Sequence, residues 1–265
     1  MALTAGALLG GLGTWWARRR IERGLRRDVR RRDAHLARTT HELRTPLSAV
    51  LSALEIVRDG HAATDLERAL FLDQAEQAAR HLALLVDDVL DAAAIDAERL
   101  RLAPVDLPLD ALLDACGGSL RMLAARHANQ VHFPSGPLPR LVHADPRRTA
   151  QVLFNLVGNA LRFSPPDNPV LILVQVGDRE ARIEVRDRGP GVAPHVRTRL
   201  FEPFAGDDLA ATDSGTGLGL HVARHLVEQM GGTIGYRQER PGATFWFTLP
   251  LAREATVASG SPPTA

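Results

Sequence analysis

The 265-residue chain contains no lysine, and all 32 of its basic residues other than histidine are arginine. That absence removes several chemistries. A Walker phosphate loop needs a lysine at the phosphates, serine/threonine protein kinases need one on a strand, and Schiff-base catalysis needs an amine. Cysteine occurs once, as Cys116, so an internal disulfide and a cysteine-rich zinc site are excluded. What is present is globular: 45% hydrophobic and 24% charged residues, in a chain long enough for one or two compact domains. It is not disordered, collagenous or coiled coil throughout.

The net charge of +1 conceals an uneven distribution. Residues 18–32 hold nine arginines against Glu22 and Asp28, a local charge of +7, which leaves −6 on the remainder. A nucleic-acid binder would spread its basic surface over the folded domain, so no nucleic-acid partner is expected. A basic neck suits an anionic membrane surface better. Residues 1–16 (MALTAGALLGGLGTWW) carry no charged side chain, include Gly6-x-x-x-Gly10 and end in Trp15 and Trp16 just before the arginines. That order is the one found at the cytoplasmic end of a membrane helix. Sixteen residues fall short of the about 20 needed to cross the hydrocarbon core. Residues 1–16 are therefore expected to be a membrane-anchoring helix, complete or truncated at its start, and 17–32 a juxtamembrane linker.

From Asp33 the pattern is helical. Leu43, Leu47, Val50, Leu51, Leu54 and Val57 recur at spacings of three and four, residues 58–64 interrupt, and a second run from Asp65 to about Leu100 repeats the spacing. The apolar stripe is wider than two helices can cover, which predicts a helical hairpin forming a dimeric four-helix bundle over 33–102. Beyond Pro104 the period changes. Strands are expected at 105–107, 130–133, 141–143, 170–176, 181–185, 233–237 and 244–249, with helices at 110–128, 146–163 and 217–230. This describes an α+β two-layer sandwich over 103–252, followed by a disordered tail over 253–265.

Five short segments concentrate the chemistry. His41-Glu-Leu-Arg-Thr-Pro-Leu47 lies on the first helix, where Pro46 frees the carbonyl of Glu42. There an imidazole can attack a phosphorus centre while Glu42 takes the ring proton. Asn155 and Asn159 stand four apart on one helix face, in Asn155-Leu-Val-Gly-Asn-Ala-Leu-Arg162-Phe163. Their amide oxygens suit Mg²⁺, a hard cation. Asp187-Arg-Gly189-Pro-Gly191 sets a carboxylate after a strand, before glycines that let backbone approach a ligand. Leu200-Phe-Glu-Pro-Phe204 is an apolar hinge. Gly215-Thr216-Gly217-Leu218-Gly219-Leu opens a helix, where backbone N–H groups bind phosphate oxygens. His221 and His225, four apart, have metal-ligand spacing but bring no third ligand.

In their order and spacing these segments resemble the H, N, G1, F and G2 boxes of the orthodox sensor histidine kinases of bacterial two-component systems, over roughly residues 33–252. The resemblance implies a dimerisation and histidine-phosphotransfer hairpin followed by a histidine kinase-type ATP-binding domain. It makes His41 the phosphoacceptor, Glu42 its general base and Asn159 the main Mg²⁺ ligand, supported by Asn155. Asp187 reads the adenine amino group, Phe163 sits by the adenine and Arg162 faces the phosphates. Gly189, Gly191, Phe204, Gly215, Thr216, Gly217, Leu218 and Gly219 complete the nucleotide site. Thr45 falls where the family orients water to dephosphorylate its regulator. ATP and Mg²⁺ are the implied cofactors, and a homodimer and a response-regulator receiver domain are the implied partners.

Two features depart from the family pattern. The lid between Phe204 and Gly215 is ten residues with three aspartates and no basic residue, which puts its contact with the γ-phosphate in doubt and leaves Arg162 as the expected source of positive charge. His41 follows Trp16 by only 25 positions, too few for a sensor domain, so either the sequence starts downstream of its natural beginning or a membrane partner supplies the signal. Two other readings stay open. One is an ATP-hydrolysing clamp of the gyrase or mismatch-repair kind, which would have Glu where Asn155 stands. The other is a scaffold that dimerises and binds a partner without catalysis.

Overall fold

The computed structural model describes residues 39–41, 43–136, 138, 140–203 and 217–252. The segments expected as anchor, linker and tail lie outside the described residues. Those described fall into two compact units, one up to Asp87 and one from Asp88 onward.

The first unit is a helical hairpin. Helix α1 runs over residues 43–58, with 39–41 also helical. Gly60 then takes φ +72°, and its neighbours return hydrogen bonds to the end of the helix, His61 N–H to the Ile56 carbonyl among them. Helix α2, Asp65–Asp96, opens on a reciprocal cap. Thr64 Oγ1 accepts the Glu67 N–H at 3.1 Å, and Glu67 Oε2 accepts the N–H groups of Ala63 and Thr64. The apolar residues buried within this unit are Pro46, Ala53, Ala62, Ala75 and Leu85, whereas Leu47, Leu51, Leu54, Leu66, Leu70 and Leu84 stay exposed. Helix α2 ends at Asp96, short of the expected Leu100, because Glu98 turns at φ +53° and Arg99 bonds back to the Ala94 carbonyl.

The second unit contains the last turns of α2 and a two-layer domain. Its elements are β1 (Val105–Pro108), α3 (Leu109–Arg126), β2 (Val131–His132), β3 (Leu141–Ala144), α4 (Pro146–Phe163), β4 (Val170–Val176), β5 (Glu180–Arg186), the single turn α5 (Pro194–Arg197), α6 (Gly219–Gln229), β6 (Ile234–Gln238) and β7 (Ala243–Pro250). Strands β1 and β3 form a separate antiparallel pair. The main sheet has the order β2-β4-β5-β7-β6, with β2 parallel to β4 and every other pairing antiparallel.

Strand alternation sorts the two faces of this sheet. Ala181, Ile183 and Val185 of β5 and Phe245, Phe247 and Leu249 of β7 form one core with α3, α4 and α6. Leu153, Leu156 and Leu161 of α4 and Leu226 of α6 are fully buried in it. The other face is polar and partly open to solvent. Glu184 is only 1% exposed, and Arg182, Arg237 and Arg186 approach its carboxylate at 2.9, 3.5 and 3.8 Å. A buried carboxylate survives when charge partners and donors surround it, as here. Arg182 also covers the Trp246 ring at 3.9 Å. A Cβ at Gly235 would come within 2.3 Å of that indole, so glycine lets the ring lie against the sheet.

Helix α4, which carries much of the candidate site, is fixed at its start. Asp145 Oδ1 accepts the Arg148 N–H at 3.1 Å, its Oδ2 accepts the Ala103 N–H at 2.9 Å, and Pro146 occupies the first turn, where no N–H is needed. Arg148 and Gln151 of α4 both donate to Asp91 Oδ2 of α2 at 2.7 Å.

Candidate functional site

Helix α4 buries Val152, Leu153, Leu156, Val157 and Ala160, which leaves Asn155, Asn159 and Arg162 on a partly open side. Asn155 Nδ2 donates to the Gly219 carbonyl at 3.0 Å, tying α4 to the first residue of α6. Only the amide nitrogen can donate to a carbonyl, so Oδ1 is the atom left to ligate. Asn159 is half-buried, and its amide makes no hydrogen bond among the described residues. Two amide oxygens on one helix face, one anchored and one uncommitted, fit the oxygen preference of Mg²⁺ together with phosphate and water ligands.

Asp187 follows β5 and is buried. Its Oδ1 accepts the N–H of Gly189 at 2.8 Å and of Ala243 at 3.1 Å, which leaves Oδ2 to accept from a ligand. Burial pushes the carboxyl above the ordinary aspartate range, and the two backbone donors pull partly the other way. Two glycines are needed for this geometry. A Cβ at Gly189 would lie 2.6 Å from the Phe163 carbonyl oxygen, and one at Gly242 would lie 2.0 Å from the Asp187 carbonyl oxygen. The end of α4, the loop after β5 and the β6–β7 turn are thus in backbone contact around one carboxylate.

Phe163 is exposed beside this carboxylate, and the Arg162 guanidinium rests over its ring at 4.5 Å. Gly217 has φ +62° and leads to Leu218, which caps α6 without a side-chain hydrogen bond. The first-turn N–H groups of α6 therefore have no side-chain acceptor from their cap, an arrangement open to an anion. In the first unit His41 is exposed on its helix, and Thr45 Oγ1 donates to the His41 carbonyl at 3.2 Å. Glu42, Phe204, Gly215 and Thr216 lie outside the described residues.

Among the described residues no three His, Cys, Asp or Glu side chains converge as a metal site. His221 Nδ1 instead faces the Phe201 carbonyl at 3.4 Å, and His225 faces Gln229. A set of residues the motifs do not mark stands behind Asp187. Tyr236 and Gln238 on β6 both bond the Val192 N–H, and Arg197 donates to the Val192 carbonyl. Their one sequence signal is alternation, since Ile234, Tyr236 and Gln238 share a strand face and the last is polar.

Two domain families match the chain. Residues 31–98 match the His Kinase A (phospho-acceptor) domain, and residues 144–253 match the Histidine kinase-, DNA gyrase B-, and HSP90-like ATPase. The chain carries the transmitter portion of a sensor histidine kinase. The transmitter is 36% identical over 230 residues to the sensory/regulatory protein RpfC of Xanthomonas campestris pv. campestris, covering 82% of this chain and 31% of that protein. It is 33% identical over 241 residues to the signal transduction histidine-protein kinase BarA of Escherichia coli, covering 86% of this chain and 26% of that protein. The chain thus spans about a third or less of the length of these relatives. Among solved structures it is similar to full-length ShkA in complex with AMPPNP, with a TM-score of 0.59 and 33% identity over 82% of this chain and 45% of the other. The Acinetobacter baumannii histidine kinase AdeS gives 0.54 and 27%, over 80% of this chain and 97% of the other.

Proposed function

We propose that this transmitter is an ATP-dependent protein-histidine kinase that phosphorylates His41 and passes the phosphoryl group to an aspartate in the receiver domain of a response regulator. The observation that carries the reading is the pairing, in one chain, of a phosphoacceptor domain with an exposed helical histidine and an ATPase-type domain with a buried Asp187 and an uncommitted Asn159. ShkA, similar over most of this chain, was solved with an ATP analogue.

In the reaction, an imidazole nitrogen of His41 attacks the γ-phosphorus. The bond to the β–γ bridging oxygen breaks, ADP leaves, and Glu42 accepts the ring proton. The N–P bond then breaks as a receiver carboxylate attacks. Most of what the protein contributes is positioning and charge neutralisation. Asp187 Oδ2 accepts the adenine amino group, Phe163 packs beside the base, and the α6 N-terminus with Gly217 and Gly219 receives phosphate oxygens. Asn159 Oδ1, with Asn155 alongside, would hold Mg²⁺, which would supply positive charge at the phosphates. Arg162, whose guanidinium lies over the Phe163 ring, adds a further cation at that end of α4. Thr45 Oγ1, whose proton is engaged by the His41 carbonyl, keeps lone pairs that orient water for dephosphorylating the regulator.

The protein works as a homodimer whose hairpins cover each other's exposed leucines, and residues 1–32 hold it at the cytoplasmic face of the membrane. Among the described residues no helix is long and apolar enough to cross one. An ATPase clamp is disfavoured because Asn155, whose amide nitrogen is bonded to Gly219, has no carboxylate to activate water.

Incubation of the chain with γ-labelled ATP and Mg²⁺ tests the reading, with wild type set beside His41→Gln. Acid-labile, base-stable label present in the wild type and absent from the variant is expected. Phosphate release without protein label would favour the clamp, and neither product would favour the scaffold.

A further inference from the structure

The Gln238 carboxamide, on strand β6, is saturated. Its Oε1 accepts from the Val192 N–H at 3.2 Å, from Arg197 Nη2 at 3.1 Å and from the Tyr236 hydroxyl. Its Nε2 donates to the carbonyls of Glu239 at 3.0 Å and Gly242 at 2.9 Å. Two carbonyls on one side and a backbone N–H with a guanidinium on the other leave a single orientation for the amide. It fills space reserved for it: Gly191 has φ +74°, and a Cβ there would lie 1.9 Å from Nε2.

The two segments joined by this amide are the two that hold Asp187. Val192 ends the loop whose Gly189 N–H donates to Asp187 Oδ1, and Gly242 precedes Ala243, whose N–H donates to the same oxygen. Arg197 adds to the clamp by donating to the Val192 carbonyl at 2.9 Å, so the residue is held through both its N–H and its carbonyl. Oδ1 is fixed by both segments, so the direction of the uncommitted Oδ2 depends on the spacing of those segments.

We propose that Gln238 is a positioning residue for base recognition: by locking the loop after β5 to the β6–β7 turn, it aims Asp187 Oδ2 at the 6-amino group of the purine and so sets the preference for adenine over 6-oxo purines. The proposal rests on the reading of this site as the adenine pocket. A carboxylate accepts from a 6-amino group and repels a 6-oxo group, so any drift of Asp187 weakens the first contact without creating one for the second. Loss of one well-placed hydrogen bond to a charged group corresponds to about tenfold or more in affinity.

The test is calorimetric titration of the full chain with ATP and with inosine triphosphate, for wild type, Gln238→Met and Arg197→Met. Methionine keeps the length and volume of glutamine without its hydrogen bonds. The expected result is that wild type prefers ATP, that Gln238→Met lowers ATP affinity about tenfold while inosine triphosphate stays within about twofold, and that Arg197→Met shifts the ratio the same way by less. Equal losses for both nucleotides would make Gln238 a merely structural residue, and an unchanged ratio would leave it no role in recognition; either overturns the proposal. A wild type with no preference between the nucleotides would overturn the adenine reading of Asp187 itself. Should Gln238→Met fail to fold, Arg197→Met decides on the same ratio.

Discussion

Asp187 is held in a way that costs the folded chain stability. Because burial raises its carboxyl above the unfolded value, the native state retains a proton that the unfolded chain has already released. Stability therefore falls as pH rises from the ordinary aspartate value through the raised one. Asp187→Asn removes that cost. In that variant the amide oxygen must still face the two backbone donors, which turns the amide nitrogen toward the ligand, donor against donor with the adenine amino group. The variant is thus expected to unfold at a temperature equal to or above wild type at pH 7, while ATP affinity falls by at least about tenfold. Thermal unfolding and titration calorimetry on the same sample check both halves; a less stable protein with unaltered affinity would make Asp187 a purely structural residue. The residue itself was legible from its place between a strand and two glycines. Gln238 and Arg197 were not, because Val192 and Arg197 lie 46 and 41 positions from Gln238, and no spacing rule links a strand to a loop that far away.

At the scale of elements, helix α4 shows which sequence signals carry most. Asp145-Pro146 marks its start with a cap and a residue that needs no N–H, and the expected range of 146–163 coincides with the observed one. Strand β4 agrees as well, because a run of Val, Leu and Ile between turn residues admits little else. Helix ends without such punctuation drifted: α2 stops at Asp96 where no Gly or Pro stands until Pro104, and the single turn α5 is too short to leave a period. Thr64 and Glu67, the reciprocal cap of α2, were present in the sequence as a Thr-x-x-Glu signal within the interruption between the helices. The double duty of Asp145 yields a prediction. Asp145→Ala removes the cap of α4 and the acceptor of the Ala103 N–H, so unfolding in urea is expected to show a loss of about 1–3 kcal/mol without change in slope. A loss below about 1 kcal/mol would mean that water replaces both bonds.

For the whole molecule, the fold class was legible because two different periodicities meet near Pro104, and the phosphoacceptor and ATPase families match on either side of it. The hairpin leaves Leu51, Leu66, Leu70 and Leu84 more than half exposed, an apolar surface that a second copy would bury. A substitution there acts twice in a twofold dimer. With about 1.5–3 kcal/mol for each buried leucine, Leu70→Glu is expected to raise the dimer dissociation constant by a factor of about 10² or more. Sedimentation equilibrium measures this directly, and an unchanged dimer would put the interface on another face.

The clamp behind Asp187 also contains the only tyrosine in the chain. Tyr236 shares its hydroxyl between the Val192 N–H and Gln238, and its ring lies 5.4 Å from Phe245. A phenol in that position is a native spectroscopic label. Its ring resonances in NMR, or its hydrogen-bond-sensitive Raman doublet, arise from one site and need no engineered probe. The loop after β5 can therefore be followed in the unmodified protein, with and without nucleotide, through a signal that no other residue contributes.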